Sequence, residues 1–229
     1  MKLLFLDFET TGLDPKRDLV WQAVYARALR KGDRLNLIEV AELVGKDCLL
    51  ELQKALSWAE VLVAHNLFFE KRFLRSKGFE LPRRSYCTMI QATPVCREHL
   101  TYGYKLRSLS EAVEILKLED ELKSIITGTY HDALYDIFAT LLLYARLEGL
   151  RLDRSGYRLR RANRFRKYLT ARRYAWEGYR EDILEELSND LFLKPLHWAF
   201  KISESIKRLT AKVRWKIHRI RWRKYYEEY

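Results

Sequence analysis

The run Leu3-Leu4-Phe5-Leu6-Asp7-Phe8-Glu9 constrains the fold of this chain more than any other stretch. Its five apolar residues suit a buried strand, yet two carboxylates sit at its end, and burying an unpaired carboxylate is costly. Residues two apart on a strand share a face, so Asp7 and Glu9 converge on one spot. Such a strand must be given something positive to hold, and hard oxygen donors of this kind suit Mg²⁺ or Mn²⁺. Taken alone, an acid-x-acid pair at a strand end also describes a solvated sheet edge. Gly12, in the turn Thr10-Thr11-Gly12-Leu13 that follows, permits close backbone approach to a ligand.

The next 140 residues alternate strand and helix signals. Residues 19–43 read as two strands around a Lys31-Gly32-Asp33 turn, a hairpin. Residues 47–59 have helical spacing, with Leu49, Leu52, Leu56 and Ala59 on one side. Residues 61–65 are a short buried strand. Asn66 then stands where it can cap a helix that Gly78 closes. Residues 84–90 are a candidate strand, and 106–116 and 132–149 are helical. A hairpin followed by alternating strand and helix predicts an α/β fold, a mixed sheet covered by helices.

Charge divides the chain. Residues 1–150 hold 21 basic and 21 acidic residues, while 151–229 hold 22 basic and 10 acidic, so the net charge of +12 lies in the last third. Four of the six Trp lie there too. This asymmetry suggests a polyanionic partner, nucleic acid first and an anionic membrane surface second. The change in texture sets a boundary at 150 between a main domain and a basic, aromatic-rich helical region, 151–229. No uncharged apolar stretch reaches the roughly 18 residues of a membrane span. With no cleavable leader pattern and three cysteines without metal-site spacing, the reading is cytoplasmic, with reduced thiols.

Two further acidic pieces stand out. Glu70 falls in the first turns of the helix after residues 61–65; alone, it fits a solvated residue favoured by the helix dipole. In Tyr130-His131-Asp132-Ala133-Leu134-Tyr135-Asp136, His131 folds back over Asp136 only if it sits in the loop entering the helix. Asp136 lies in an otherwise apolar run, with Asp132 as the alternative for the exposed face.

In order and spacing these three pieces resemble the DEDDh superfamily of 3′–5′ exonucleases, of the proofreading-subunit type. The matches are D-x-E-T-T-G at Asp7, H-N-x-x-F-acid at His65, and H-x-A-L-x-D at His131. The resemblance covers residues 1–150. It implies a ribonuclease H-like fold with a five-stranded mixed sheet, and phosphodiester cleavage by two divalent cations, Mg²⁺ or Mn²⁺, about 3.5–4 Å apart. It further implies that Asp7 bridges both ions, that Glu9 and Asp136 complete the nucleophile side, and that Glu70 helps hold the second ion. His131, with an ordinary pKa of about 6.5, would take the proton from the attacking water. Thr10, Thr11 and Leu13 become candidates for the terminal sugar and base, as does Phe69, which is also readable as a core aromatic. His65 and Asn66 read as structural.

Position 70 departs from the family pattern, which has Asp there, and the longer arm displaces the carboxylate by about one methylene. A rival reading is therefore a nucleic-acid-binding or adaptor protein on the same fold, with weak or no turnover, working through its tail. In that tail Arg158, Arg160, Arg161, Arg164, Arg166 and Lys167 form one basic cluster, and Lys212 to Lys224, interleaved with Trp215 and Trp222, another. These suit a grip on nucleic acid. The alternatives are a solvated helical appendage, a dock for a polymerase or other replication or repair partner, and a helix 205–224 lying on a membrane.

Overall fold

β1 (Lys2–Thr10) is the central strand that the apolar run requires: Leu3, Leu4, Phe5 and Leu6 are all buried in the computed structural model. The structure describes residues 1–45, 48–96, 107–130, 132–163, 166–167 and 169–170, with 48 and 49 as backbone only. β1 pairs antiparallel with β2 (Val20–Lys31), and β2 with β3 (Arg34–Val44), across the tight turn Gly32-Asp33. Gly32 adopts φ 58°, the left-handed region that such a turn needs and a side chain resists. On its other side β1 pairs parallel with β4 (Val61–Ala64), and β4 with β5 (Arg84–Cys87).

The order β5-β4-β1-β2-β3, three antiparallel strands continued by two parallel ones, is the ribonuclease H-like mixed sheet. Two short strands, β6 (Arg151–Asp153) and β7 (Arg158–Arg160), pair parallel with β3 and raise the count from the expected five to seven. They cover the free edge of β3, whose open N–H and C=O groups would otherwise template foreign strands.

Six helices flank the sheet among the described residues: α1 (Cys48–Trp58), α2 (Leu67–Ser76), α3 (Thr88–Val95), α4 (Leu109–Ile115), α5 (Glu119–Ile125) and α6 (Ala133–Leu147). Strand alternation sorts the core into two layers. Leu3 and Phe5 of β1, with Val24, Ala26 and Val40, pack under α6 and the short helices α3 to α5. Leu4, Leu6 and Phe8, with Ala23, Tyr25 and Leu62, pack under α1 and α2. α6 is buried almost all round and carries Ile137, Phe138, Leu141 and Tyr144 into the first layer. None of the described helices is long and apolar enough to cross a membrane. Cys87 and Cys96 are buried, free thiols.

Several expectations are corrected. The strand read over 84–90 ends at Cys87; Thr88 and Ala92 pack inward, and the chain continues as α3. Asn66 occupies the N-cap position of α2, but its side chain makes no capping hydrogen bond. Ser108 caps α4 instead, in a reciprocal capping box with Glu111. Within 151–160, read as helical, Arg151–Asp153 and Arg158–Arg160 are strands, and the compact unit built on the sheet runs to Thr170. Residues 171–229, including the second basic cluster, lie outside the described residues.

Of the first basic cluster, Arg158 and Arg160 are already spent inside the protein. Both reach the buried Glu39 carboxylate, at 2.8 and 2.7 Å, and Arg27 approaches its other oxygen at 3.4 Å. Arg160 also pairs with Glu51 and donates to the Tyr25 hydroxyl at 2.8 Å. Burying Glu39 without these cations would be prohibitive, so they anchor β7 rather than wait for a ligand. Arg164 lies outside the described residues.

Candidate active site

The parallel pairing of β1 with β4 stops at Phe5↔Val63, while its pairing with β2 runs on through Glu9↔Gln22. The two central strands therefore part at their carboxyl ends, the place where open α/β sheets form a crevice. Asp7 and Glu9 stand at this point, half-buried, on the face that Leu3 and Phe5 share with α6. The strand alternation expected from sequence is what brings them together.

α6 brings the next carboxylate. Asp132 caps the helix, its Oδ1 accepting from Leu134 N at 3.1 Å, and Asp136 follows one turn later, its N–H bonded to Asp132 O at 2.9 Å. Asp136 is half-buried between the fully packed Tyr135 and Ile137. His131, one residue before the cap, lies outside the described residues.

α2 brings the fourth. Its buried stripe is Leu67, Glu70, Phe73 and Leu74, so Glu70 faces the sheet and is only 4% exposed. The alternative that Glu70 faces water is thereby excluded. Its Oε2 is buried without a hydrogen-bond partner, and burial pushes its carboxyl up to about 8. An orphaned carboxylate oxygen of this kind is rare in a folded interior and asks for a cation.

Asp7 reports the convergence. Burial raises its carboxyl well above the usual range, and Asp136, Glu70, Glu9 and Asp132 each raise it further, in that order. Four acidic side chains from β1, α2 and α6, with the cap residue Asp132, thus share one electrostatic neighbourhood. They do not stand as a finished ligand sphere: among the described residues no three His, Cys, Asp or Glu side chains are grouped to hold an ion. The donor set, all carboxylate oxygen with one oxygen orphaned, fits a hard divalent cation.

The loop after β1 is built by its own side chains. Thr10 and Thr11 are buried; Thr10 Oγ1 donates to Gly12 O at 2.7 Å, and Thr11 Oγ1 accepts from Leu19 N at 2.9 Å. The Asp18 carboxylate accepts from Asp14 N at 2.7 Å and lies so close that a Cβ on Gly12 would meet it at 2.5 Å. Gly12 is therefore fixed by the approach of Asp18. Leu13, by contrast, is 76% exposed at the loop tip. Phe69 is half-buried and packs on Phe73, ring centroids 4.8 Å apart.

His65 is structural, as read. Its Nε2 donates to Arg107 O and its Nδ1 meets Thr88 Oγ1, both at 3.0 Å, and burial lowers its pKa to about 4. A neutral imidazole thus links the end of β4 to the starts of α3 and α4. Two residues with a part in this region were missed as such. Asp18 braces the loop and leaves only the close Asp14-x-x-x-Asp18 spacing as a signal, and Lys167 was counted with the tail.

No protein-family model and no curated sequence matches the chain. Among solved structures it is similar to an exonuclease I, at 16% identity and TM-score 0.47, covering 66% of this chain and 41% of that one. The E. coli exonuclease I complex with a 5cy-dA13 oligonucleotide gives 16% identity and TM-score 0.43 over the same shares. Brucella melitensis NrnC bound to pGG gives 15% identity and TM-score 0.36, covering 88% of this chain and 85% of that one. The chain thus spans about two fifths of the exonuclease I length. The ribonuclease H-like assignment stands on strand order and on the two-layer core.

Proposed function

We propose that this chain is a metal-dependent 3′–5′ exonuclease that hydrolyses phosphodiester bonds at the 3′ end of DNA or RNA and releases 5′-nucleoside monophosphates. The observation that carries the reading is the gathering of Asp7 and Glu9 of β1, Asp136 of α6 and the buried Glu70 of α2, whose Oε2 has no hydrogen-bond partner; burial first, and then these neighbours, raise the Asp7 carboxyl. A buried carboxylate with a partnerless oxygen, gathered with other acidic side chains, suits a divalent cation.

Asp7, Glu9 and Asp136 are the residues that would hold one divalent cation, and Asp7 with Glu70 a second. When bound, such a cation pair supplies Lewis acidity at the scissile phosphate and offsets its charge. Asp7, on the rigid central strand, fixes the centre of the site. Glu70 is sealed from water with Oε2 left without a hydrogen-bond partner, and its longer arm is met by a rotamer change, by Mn²⁺ in place of Mg²⁺, or by slower turnover. His131 takes the proton of the attacking water as the P–O3′ bond breaks, and the leaving 3′-oxygen is protonated by solvent. Thr10, Thr11 and Leu13 shape the path of the last nucleotide: the two threonines by holding the loop, since their hydroxyls and the Thr11 N–H are engaged within it, and Leu13 as an exposed wedge against the base. Phe69 backs this path from α2.

The test is a panel of end-labelled single- and double-stranded DNA and RNA with each divalent ion. Metal-dependent release of nucleoside monophosphates from the 3′ end supports the reading. Glu70 in place of the family's Asp, together with the basic excess of the last third, favours a second one, a nucleic-acid-binding protein with slow or no turnover. Its signature is oligonucleotide affinity with a steep salt dependence and no release with either ion, weakened by removing residues 171–229.

A further inference from the structure

Lys167 stands outside the acidic set, in the segment that follows β7. Asn163 accepts two backbone hydrogen bonds there, its Oδ1 from Arg166 N at 3.2 Å and its carbonyl from Lys167 N at 2.9 Å. The Lys167 side chain is 19% exposed, and its ammonium lies between two carboxylates, Glu42 Oε1 at 2.9 Å and Asp132 Oδ1 at 3.7 Å. Glu42 is itself a buried hub of β3: Gln22 Nε2 donates to Oε1 at 2.7 Å, and Ala162 N donates to Oε2 at 3.1 Å. Asp132 Oδ1 is the same oxygen that caps α6 through Leu134 N.

The sheet register places this bridge beside the candidate active site. Asp7 pairs with Val24, and Val24 with Glu42, so Asp7 and Glu42 share a sheet face two strands apart, about 10 Å. Glu9 pairs with Gln22, the partner of Glu42. Asp132 is one of the four carboxylates that raise Asp7. Lys167 therefore joins the sheet under the acidic cluster to the end of α6 that carries Asp136.

We infer that Lys167 is a positioning residue for the reaction. Its ammonium ties the N-cap of α6 to β3 and so fixes the first turn of α6, with Asp136, beside Asp7 and Glu9. This inference rests on the exonuclease reading for its catalytic half and on geometry alone for its structural half. A side chain that only stabilised the fold would be indifferent to which helix end it held. Lys167 holds the one end from which the third sequence motif projects, and catalytic geometry tolerates errors of only about 0.5 Å. It also supplies the positive charge without which Glu42 and Asp132 would add to the repulsion within the cluster.

The experiment compares Lys167→Met and Lys167→Arg with the wild-type full chain in two arms. In the first, 3′-end release is measured with Mn²⁺: Lys167→Met is expected to lower kcat by about tenfold to a hundredfold with KM within about twofold, and Lys167→Arg to recover most of it. In the second, amide hydrogen exchange is followed without metal or substrate. Lys167→Met is expected to accelerate exchange at Leu134 and Tyr135 about tenfold, while amides of β1 and β2 keep their wild-type rates. Unchanged exchange at α6 overturns the inference, as does a loss of kcat that Lys167→Arg fails to restore. If Lys167→Met does not fold, Lys167→Gln is measured by the same criteria. If Lys167→Met exchanges as expected but the wild type releases no nucleotide, the exonuclease reading and the catalytic half are overturned and the brace itself is supported.

Discussion

Glu70→Gln is expected to make the metal-free protein more stable than the wild type at high pH and not at low pH. Burial raises the Glu70 carboxyl from the ordinary 4.5 to about 8. An acid held more strongly protonated in the folded state gives its full stability below its unfolded pKa and loses it as pH rises through the folded one. The wild type therefore loses stability between about pH 4.5 and 8, while a glutamine of the same shape, which does not titrate, escapes that loss. At about 1.4 kcal/mol per pKa unit, the interval amounts to about 5 kcal/mol as an upper bound. Glutamine adds a cost of its own for a buried amide, about 1–3 kcal/mol, but that cost is independent of pH. The quantity to measure is the change in ΔΔG between pH 4.5 and pH 9, by urea denaturation in a chelator, expected at about 3–5 kcal/mol in favour of the variant. Asp7, relieved of one repelling neighbour in the variant, shifts the result the same way. Adding Mn²⁺ at pH 9 should narrow the gap by stabilising the wild type more. A ΔΔG that stays flat across this range would refute the claim that an uncompensated carboxylate is buried here.

Gly12→Ala should destabilise the first-motif loop by about 1–3 kcal/mol, since its new Cβ meets the Asp18 carboxylate at 2.5 Å, and pairing it with Asp18→Ala should return part of the loss in thermal melts. Arg160→Ala should cost about 1–3 kcal/mol by urea denaturation, because it removes one cation from buried Glu39 while Arg27 and Arg158 remain. Leu13→Ala should leave the melting temperature unchanged, as an exposed side chain must, and raise KM for single-stranded 3′ ends about threefold or more if the loop tip meets the base.

Much of this was legible because it was written in long periodic runs. β1, the hairpin and α6 carry apolar residues at strand or helix spacing over nine or more residues, and all three appear where expected. α5 was not legible: its seven residues, Glu-Asp-Glu-Leu-Lys-Ser-Ile, bury only Leu122. β6 and β7 are three residues each, too short for alternation to register. Their arginines read as free charge because the carboxylates that hold them, Asp33, Glu39 and Glu51, lie more than 100 residues away. Glu70 shows the same limit from the other side. An acidic residue in a first helical turn is sensibly solvated, and only the face α2 turns to the sheet seals it inside. Family resemblance gave it a role that local physics could not. His131, on which the proton transfer rests, lies outside the described residues, so that part of the site stays with the sequence.

The most direct test is anomalous diffraction from crystals soaked in Mn²⁺, with Asp7→Asn as control. The account predicts manganese bounded by oxygens of Asp7, Glu9, Glu70 and Asp136 in the wild type and lost from the variant. Manganese elsewhere, or a crevice that takes up none at saturating concentration, would contradict it.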